Sequence, residues 1–383
     1  MQLRDKSIEN SRDSCTMNVL YVTQNYESVQ KHLYEGLKSE ATSVNLAHYH
    51  LVNGSTEELF PDGVTYIPSR VKVKGFLFYM LKLQRIYVKC RRRFEDSPID
   101  IIHGNMLFCD GYICRKLSNS MNVPYCVSVR DTDINSKFLW KIPWIKRMGL
   151  RNISNASAIF FLSKKYQEKL IAKAPKEYKE RILNKSFIIP NGIDDFYIEN
   201  AVYREGTASD HIRLIFVGKI SRRKNLEATI AACKILIDKG KRVELNVVGP
   251  IVDRDYEPIM KDAQFVKYHG VCNKEQILEY LRKSDVFVMP SHTETFGLVY
   301  LEAMTQGLPV IYTRGQGFDG QFPEGSIGCS VNDKSPEEIA EKIISIIADY
   351  PRLSRNATMY SSECSWGRSV RRFMEIYQTI AKR

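Results

Sequence analysis

The chain has 383 residues and lacks any apolar stretch approaching the roughly 20 residues that a bilayer-spanning helix needs. Residues 1–16 are polar and charged, have no apolar signal-peptide core, and are expected to fray. No Cys-x-x-Cys pair occurs among the nine scattered cysteines, which fits reduced thiols in a cytoplasmic protein rather than a disulfide framework or a zinc ribbon. There is no internal repeat at solenoid periods and no low-complexity segment. Neither half carries Gly-x-Gly-x-x-Gly after its first strand, which argues against a dehydrogenase. Acidic residues are outnumbered by basic ones, leaving a formal net charge of +12.

The hydrophobic content of 44% is that of an ordinary globular protein, and the length suffices for two cores. Strand-like and helical patterns alternate. Asn18–Thr23 reads as a strand, followed by a helix marked by Val29, Leu33 and Leu37. Asp100–His103, Tyr125–Val129 and Ala158–Leu162 read as further strands, each followed by helical spacing. Farther on, the strand Arg213–Val217 ends at Gly218, and a helix follows with Leu226, Ile230, Cys233 and Ile237 on its apolar face. Ser335, Pro336 and Glu338 form a capping box before Ile339, Ile343 and Ile346. Such alternation predicts an α/β fold with parallel sheets and right-handed crossovers.

Met289 to Ile311, MPSHTETFGLVYLEAMTQGLPVI, is the densest stretch. Val286–Met289 is a short buried strand stopped by Pro290; Leu298, Leu301 and Met304 begin a helix that Gly307 and Pro309 end; Val310–Tyr312 is the next strand. The intervening loop therefore lies at the carboxyl edge of a sheet, where open α/β folds bind ligands, beside a helix N-terminus that favours anions. Glu294 lies in the loop and Glu302 in the helix. Eight helical residues span about 12 Å, too far for the roughly 5–5.5 Å carboxylate pair of a retaining glycosidase. The pair is better suited to gripping two parts of one extended ligand through its hydroxyls. Taken singly, a capping glutamate and a solvated helix glutamate are the plainer readings.

The loop Lys219–Asn225, after the strand ending at Gly218, brings Lys219, Arg222, Arg223 and Lys224 beside another helix N-terminus. Positive side chains do not complement a positive dipole end, but they fit a polyanion such as a diphosphate bound between them. A solvated basic loop is the plainer alternative.

Together these segments resemble glycosyltransferase family 4, whose GT-B fold has two facing Rossmann-like domains. The resemblance rests on the E-x7-E pattern of Glu294 and Glu302 and on the basic pair Lys219 and Lys224. VVGP at Val247–Pro250, YHGVC at Tyr268–Cys272 and IPNGID at Ile189–Asp194 also match, in order and spacing. It is strongest over residues 186–350. It implies that Glu294 holds donor-sugar hydroxyls with the N–H groups of Thr295, Phe296, Gly297 and Leu298, and that Glu302 binds the ribose. It further implies that Lys219 and Lys224 neutralise the leaving diphosphate, and that Gly218, Gly249, Pro250 and Val271 border the nucleotide. The co-substrate would be a nucleotide sugar, commonly a UDP-sugar, with no other cofactor. Such enzymes retain anomeric configuration and use no catalytic metal; the Asp253–Asp255 and Asp131–Asp133 triplets do not sit where a metal-dependent transferase needs them. The expected division is a tail over residues 1–16, an acceptor-binding domain over 17–187, a donor-binding domain over 188–365, and a final helix over 366–383 returning to the first domain.

Two departures from the family lie in the first domain. The acceptor loop after the first strand reads Gln24-Asn25-Tyr26-Glu27-Ser28 rather than glycine-rich, and Arg130 stands where many relatives have a histidine. Asn25, Arg130 and Asp133 are thus candidates for the acceptor or sugar side, with an Arg–Asp structural pair as the alternative for the last two. His103 is expected in the core. Pro68–Arg93 holds nine Lys or Arg and no acid, interleaved with Phe76, Phe78, Tyr79, Leu81, Leu83 and Tyr87; Lys137–Arg151 adds Trp140 and Trp144. Such stretches suit an anionic membrane surface, hence peripheral attachment to the inner face of a bacterial membrane and a glycan or lipid-linked acceptor in surface-polysaccharide assembly. No nucleic-acid-binding motif accompanies them. Two alternatives remain at this level: a degenerate homologue serving as a scaffold or regulatory subunit, and another nucleotide-sugar enzyme such as an epimerase or phosphorylase.

Overall fold

The computed structural model describes residues 17–382 apart from residues 25, 27, 42, 50–61, 69–75, 137–139 and 205–210. Strands β1 (Asn18–Thr23), β2 (Ser43–Tyr49), β3 (Val64–Ile67), β4 (Ile101–Gly104), β5 (Tyr125–Val129), β6 (Ala158–Phe161) and β7 (Ser186–Ile188) form one sheet in the order β3-β2-β1-β4-β5-β6-β7. Strands β8 (His211–Val217), β9 (Arg242–Val248), β10 (Val266–Tyr268), β11 (Val286–Val288), β12 (Val310–Thr313) and β13 (Gly328–Val331) form a second, ordered β10-β9-β8-β11-β12-β13. Every pairing is parallel. Central strands such as Tyr125–Val129 and Val286–Val288 are buried along their whole length, as expected of strands covered by helices on both faces.

Each sheet reverses its strand order once, between β1 and β4 in the first and between β8 and β11 in the second. At such a switch point the loops leaving neighbouring strands diverge and open a crevice at their carboxyl ends. Gln24 and Asn105 follow β1 and β4; Gly218 and the Pro290–Glu294 segment follow β8 and β11. The two crevices face each other, because residues of both line one cavity.

The final helix, Trp366–Ala381, packs on the first sheet rather than the second. Its Val370, Phe373 and Tyr377 join Val19, Tyr21, Leu33 and Leu37 in one apolar cluster. A Cβ on Gly36 would lie 2.6 Å from Val370 Cγ2, so glycine there allows the helix Ser28–Glu40 to approach this closely. The chain's two crossings between sheets lie together: Ile193 N–H donates to Cys364 O at 2.9 Å, and Ile193 bridges Ser365. His103 is buried between Ser128 Oγ, at 2.8 Å, and the Tyr377 hydroxyl. Burial, with the Arg130 charge, pushes its imidazole down to about 3, so it is a neutral core histidine.

Two expectations change. Among the described side chains of the basic–aromatic stretch, no aromatic stripe faces solvent. In the helix Phe76–Phe94, Leu83, Ile86 and Cys90 are buried while Tyr79 and Tyr87 pack against that core. Trp140 donates from Nε1 to Asp133 O at 2.6 Å. Exposed among the described residues are Leu81, Arg85 and Arg91–Arg93 on that helix, and Lys141, Trp144, Arg147 and Arg151 farther on. Ser335 caps its helix by accepting from Glu338 N–H at 3.3 Å, but the Glu338 carboxylate turns to Arg314 and to Asn332 N–H instead of closing a reciprocal box.

Candidate active site

Glu294 and Lys224 meet where the loops after β11 and β8 converge. Lys224 Nζ donates to Glu294 Oε2, and Ser291 Oγ donates to the same oxygen at 3.4 Å. Both partners are nearly enclosed, with 11% and 9% of their side chains exposed, so the pair feels little solvent screening. The two loops hold each other: His292 N–H donates to Arg223 O at 2.9 Å, and Arg223 Nη1 to Thr293 O at 2.8 Å. Asn225 adopts a left-handed conformation, φ 58°, and its Nδ2 donates to Pro290 O at 2.9 Å and Asp333 O at 2.7 Å. A third loop supports them from below, with Gly317 N–H donating to Glu294 O at 3.0 Å. A Cβ on Gly317 would lie 1.8 Å from Thr295 O, so this approach requires glycine.

Beyond Glu294 the chain turns through Gly297, φ 80°, into the helix Leu298–Thr305. Among the described residues, no protein acceptor takes the N–H groups of Thr295, Phe296 or Gly297. They lie on the cavity wall next to a helix N-terminus, an arrangement that accepts anions and hydroxyl oxygens. Glu302, one turn along this helix, is partly buried. Burial pushes its carboxyl up to about 7, the neighbouring Asp194 adds to the rise, and Lys274 opposes it.

The remaining donor-side candidates spread out. Gly218 and Gly249 have positive φ and lie so close that a Cβ on Gly249 would be 2.1 Å from Gly218 O. Pro250 accepts from Ile220 N–H at 2.8 Å, and Val271 is 74% exposed. Lys219 is exposed and does not line the cavity with Lys224. Arg222 is held outside it, its main chain by Asp253 Oδ2 at 2.7 Å and its guanidinium by Asp255 Oδ2 at 2.6 Å. Of the four basic residues, only Lys224 reaches the cavity among the described residues.

Across the cleft lies Arg130. Its Nη2 and Nε donate to Asn105 Oδ1 at 2.8 and 3.1 Å, and Nη1 to Asn191 Oδ1 at 3.4 Å. Asn105 Oδ1 also accepts from the Tyr21 hydroxyl at 2.8 Å. Asp133 does not reach the cavity. It is buried, and its Oδ2 accepts from Arg130 N–H at 2.9 Å and Leu107 N–H at 3.1 Å, so it fixes the turn that presents Arg130; burial pushes it up to about 6. Asn25 lies outside the described residues; its neighbour Gln24 lines the cavity. The cavity holds about 410 Å³ and is lined from both sheets, Gln24, Asn105 and Arg130 facing Lys224, Glu294 and Thr295.

Sequence reasoning missed Asn105, Asn191 and Tyr166. Tyr166 stands between the halves, its hydroxyl donating within hydrogen-bond reach of both Asp131 Oδ1, 2.8 Å away, and Glu294 O. Asn105 carried a usable signal, a polar side chain just past the carboxyl end of a buried strand. Nothing local marks Tyr166, whose two partners lie 35 and 128 residues away.

Residues 199–361 match the family model described as glycosyl transferases group 1. An uncharacterised glycosyltransferase of Methanocaldococcus jannaschii is 23% identical over 330 residues, covering 82% of this chain and 84% of that protein. A D-inositol 3-phosphate glycosyltransferase of Geodermatophilus obscurus is 29% identical over 216 residues; this alignment spans 52% of the chain and 48%, about half, of the relative. Among solved structures, the Anabaena protein HepE in complex with UDP superposes with a TM-score of 0.71 at 16% identity, over 95% of this chain and all of that one. Residues 199–361 thus form a glycosyl transferases group 1 domain, and the chain is a glycosyltransferase with the GT-B fold.

Proposed function

We propose that this cleft transfers a hexose from a nucleotide-diphosphate sugar, with UDP as the nucleotide, to a glycan or lipid-linked acceptor. The transfer retains anomeric configuration and uses no metal for catalysis, as in family 4. The observation that carries the proposal is the enclosed Lys224–Glu294 pair beside the free N–H groups at Thr295–Gly297. In the reaction the sugar C1–oxygen bond to the phosphate breaks, the acceptor oxygen bonds C1, and the acceptor proton leaves with the diphosphate. Lys224 stabilises the charge developing on the departing phosphate, a contribution that grows in the transition state. Glu294 accepts from donor-sugar hydroxyls and holds Lys224 in place. Glu302 accepts from the ribose hydroxyls; Gly249, Pro250 and Val271 border the base. Lys219 serves the diphosphate only by swinging in from its exposed position. The UDP bound to HepE supports this choice of nucleotide.

A thermal-shift screen of nucleoside diphosphates and nucleotide sugars tests the reading, since a ligand of the native state raises its apparent stability by mass action. UDP and a UDP-sugar should raise the midpoint; no response to any nucleotide sinks it. The acceptor and location extend the proposal to bacterial surface-polysaccharide assembly, at the inner face of the cytoplasmic membrane. Their support is the exposed arginines of the helix Phe76–Phe94 together with Leu81 and Trp144. Flotation with anionic liposomes at low and high salt measures this directly. Binding should be strong at low salt and lost at high salt.

A further inference from the structure

We propose that Arg130 recognises a carboxylate carried by one of the two sugars that meet in the cleft, so that the reaction involves an acidic sugar. The inference rests on the glycosyl-transfer reading of this site. Arg130 is partly buried, and its partners are all neutral amides: Asn105 and Asn191, both buried themselves. Among the described residues it makes no ion pair. The other charged groups on the cavity wall are engaged elsewhere, Glu294 with Lys224 and Asp131 with Tyr166 and Asn135. Asp133 lies in the field of this charge but spends its carboxylate on main-chain N–H groups, so among the described residues the guanidinium itself has only amide partners. Its five N–H donors are accounted for as far as one on Nε, one on Nη1 and one on Nη2, which leaves one on each terminal nitrogen. Two donors on adjacent terminal nitrogens match the two coplanar oxygens of a carboxylate in the bidentate fork that arginine forms and lysine does not. Neutral sugar hydroxyls would be served by a neutral side chain. Tyr21 and Asn105 fix the guanidinium from behind, and Asp133 fixes its main chain, so the fork is held ready before any ligand arrives.

The carboxylate can belong to the transferred sugar or to the acceptor, and calorimetry on the full chain separates the two. One arm compares UDP-glucose with UDP-glucuronate and GDP-mannose with GDP-mannuronate. The other compares methyl glucoside with methyl glucuronide in the presence of UDP. In one arm the carboxylate member should bind roughly ten- to a hundredfold more tightly, the range for a hydrogen bond to a charged group. Arg130→Gln should bring that ratio toward one, and Arg130→Lys should keep part of it, since the charge remains while the fork is lost. Equal binding in both arms by the unaltered chain overturns the proposal, as does a preference that survives Arg130→Gln. If Arg130→Gln weakens UDP itself as strongly, Arg130 serves the diphosphate and the proposal also falls. Failure of UDP, GDP and every nucleotide sugar to bind overturns the glycosyl-transfer reading instead, which keeps the two failures apart.

Discussion

The two facing sheet edges are made of different material. At the second sheet, cavity-facing positions include main chain: Gly297 has positive φ, and among the described residues the N–H groups of Thr295–Gly297 meet no protein acceptor. At the first sheet they are side chains, among them Gln24, Asn105, Met106 and Arg130. Among the described residues before Asp194, Gly63 alone of the glycines has positive φ, and it lies away from the cleft against Tyr34 and Val44. Backbone donors suit groups that every donor shares, namely phosphates and ring hydroxyls. Side chains can be exchanged singly and so set which sugar is met on the other side.

The widest separation between the edges should appear on removing the shared pair. Glu294→Gln and Lys224→Met should each lower turnover by about 10²–10³, the scale for loss of a charge-stabilising contact, as measured in single-turnover assays. Glu294→Ala carries a second effect, because it strands Lys224 without its carboxylate; breaking a buried pair costs up to about 3–5 kcal/mol, and less where the site opens to a cavity. The double variant Lys224→Met, Glu294→Gln should therefore recover stability in urea unfolding without recovering turnover. An active double variant would remove the pair from the chemistry.

A test of the backbone edge comes next in size. Gly297→Ala would place its Cβ 2.4 Å from the Tyr300 ring at a φ of 80°. It should destabilise by about 1–3 kcal/mol and lower donor affinity, because the turn that aims the N–H groups must shift. Gly270→Ala supplies the control: φ is 71° but nothing lies within 4 Å, so only the backbone cost of about 1 kcal/mol should appear. If the two variants lose equal stability, the contact with Tyr300 contributes nothing.

How much of this was legible beforehand follows the same division. The E-x7-E string and the lysine loop could be read because strand, glycine and helix starts are encoded within a few residues of each other. Lys224 lines the cavity and Lys219 does not, while Arg222 is held away because its partners Asp253 and Asp255 come from the loop after the next strand. Leu83 looked like part of a membrane-facing stripe, because its spacing from charged residues is the same whether the apolar face meets lipid or a sheet. Asp133 looked like a cleft residue because the motif VRDTD does not say which carboxylate caps the turn. On the first sheet each such choice depends on packing across tens of residues, as with Asn105 under Arg130 and Tyr21.

Tyr166 belongs to neither edge and joins them. Tyr166→Phe keeps the buried ring and removes only the hydroxyl shared between Asp131 and Glu294 O. The loss should be about 1 kcal/mol in stability, the net worth of one hydrogen bond, with turnover reduced several-fold because the edges are no longer tied together. Nucleotide binding, assigned to the second sheet in the proposed reading, should change less than turnover. Equal effects on both would mean that the hydroxyl supports the Glu294 loop and not the closure.

The smallest effect concerns pH, and it bears on Glu302, an acidic group of the second-sheet edge that lies outside the cavity wall. The Glu302 carboxyl holds its proton to about 7 in the folded chain, against a reference value of 4.5, because it is partly buried near Asp194. Between those two values the folded state binds more protons than the unfolded state, so this group lowers stability as pH rises from about 4.5 through 7, and the loss is complete above 7. After discounting for partial solvent screening, the loss is on the order of 1 kcal/mol. Glu302→Gln removes it, so the variant's melting point should gain on that of the unaltered chain between mildly acid and mildly alkaline buffer. Ligand binding should run the other way. If ribose hydroxyls donate to the ionised carboxylate, as proposed, the affinity for UDP-glucose, whose diphosphate does not titrate in this range, should rise with pH in the unaltered chain and stay flat in Glu302→Gln. An affinity that is flat in both would move the ribose away from Glu302 while leaving the stability difference in place.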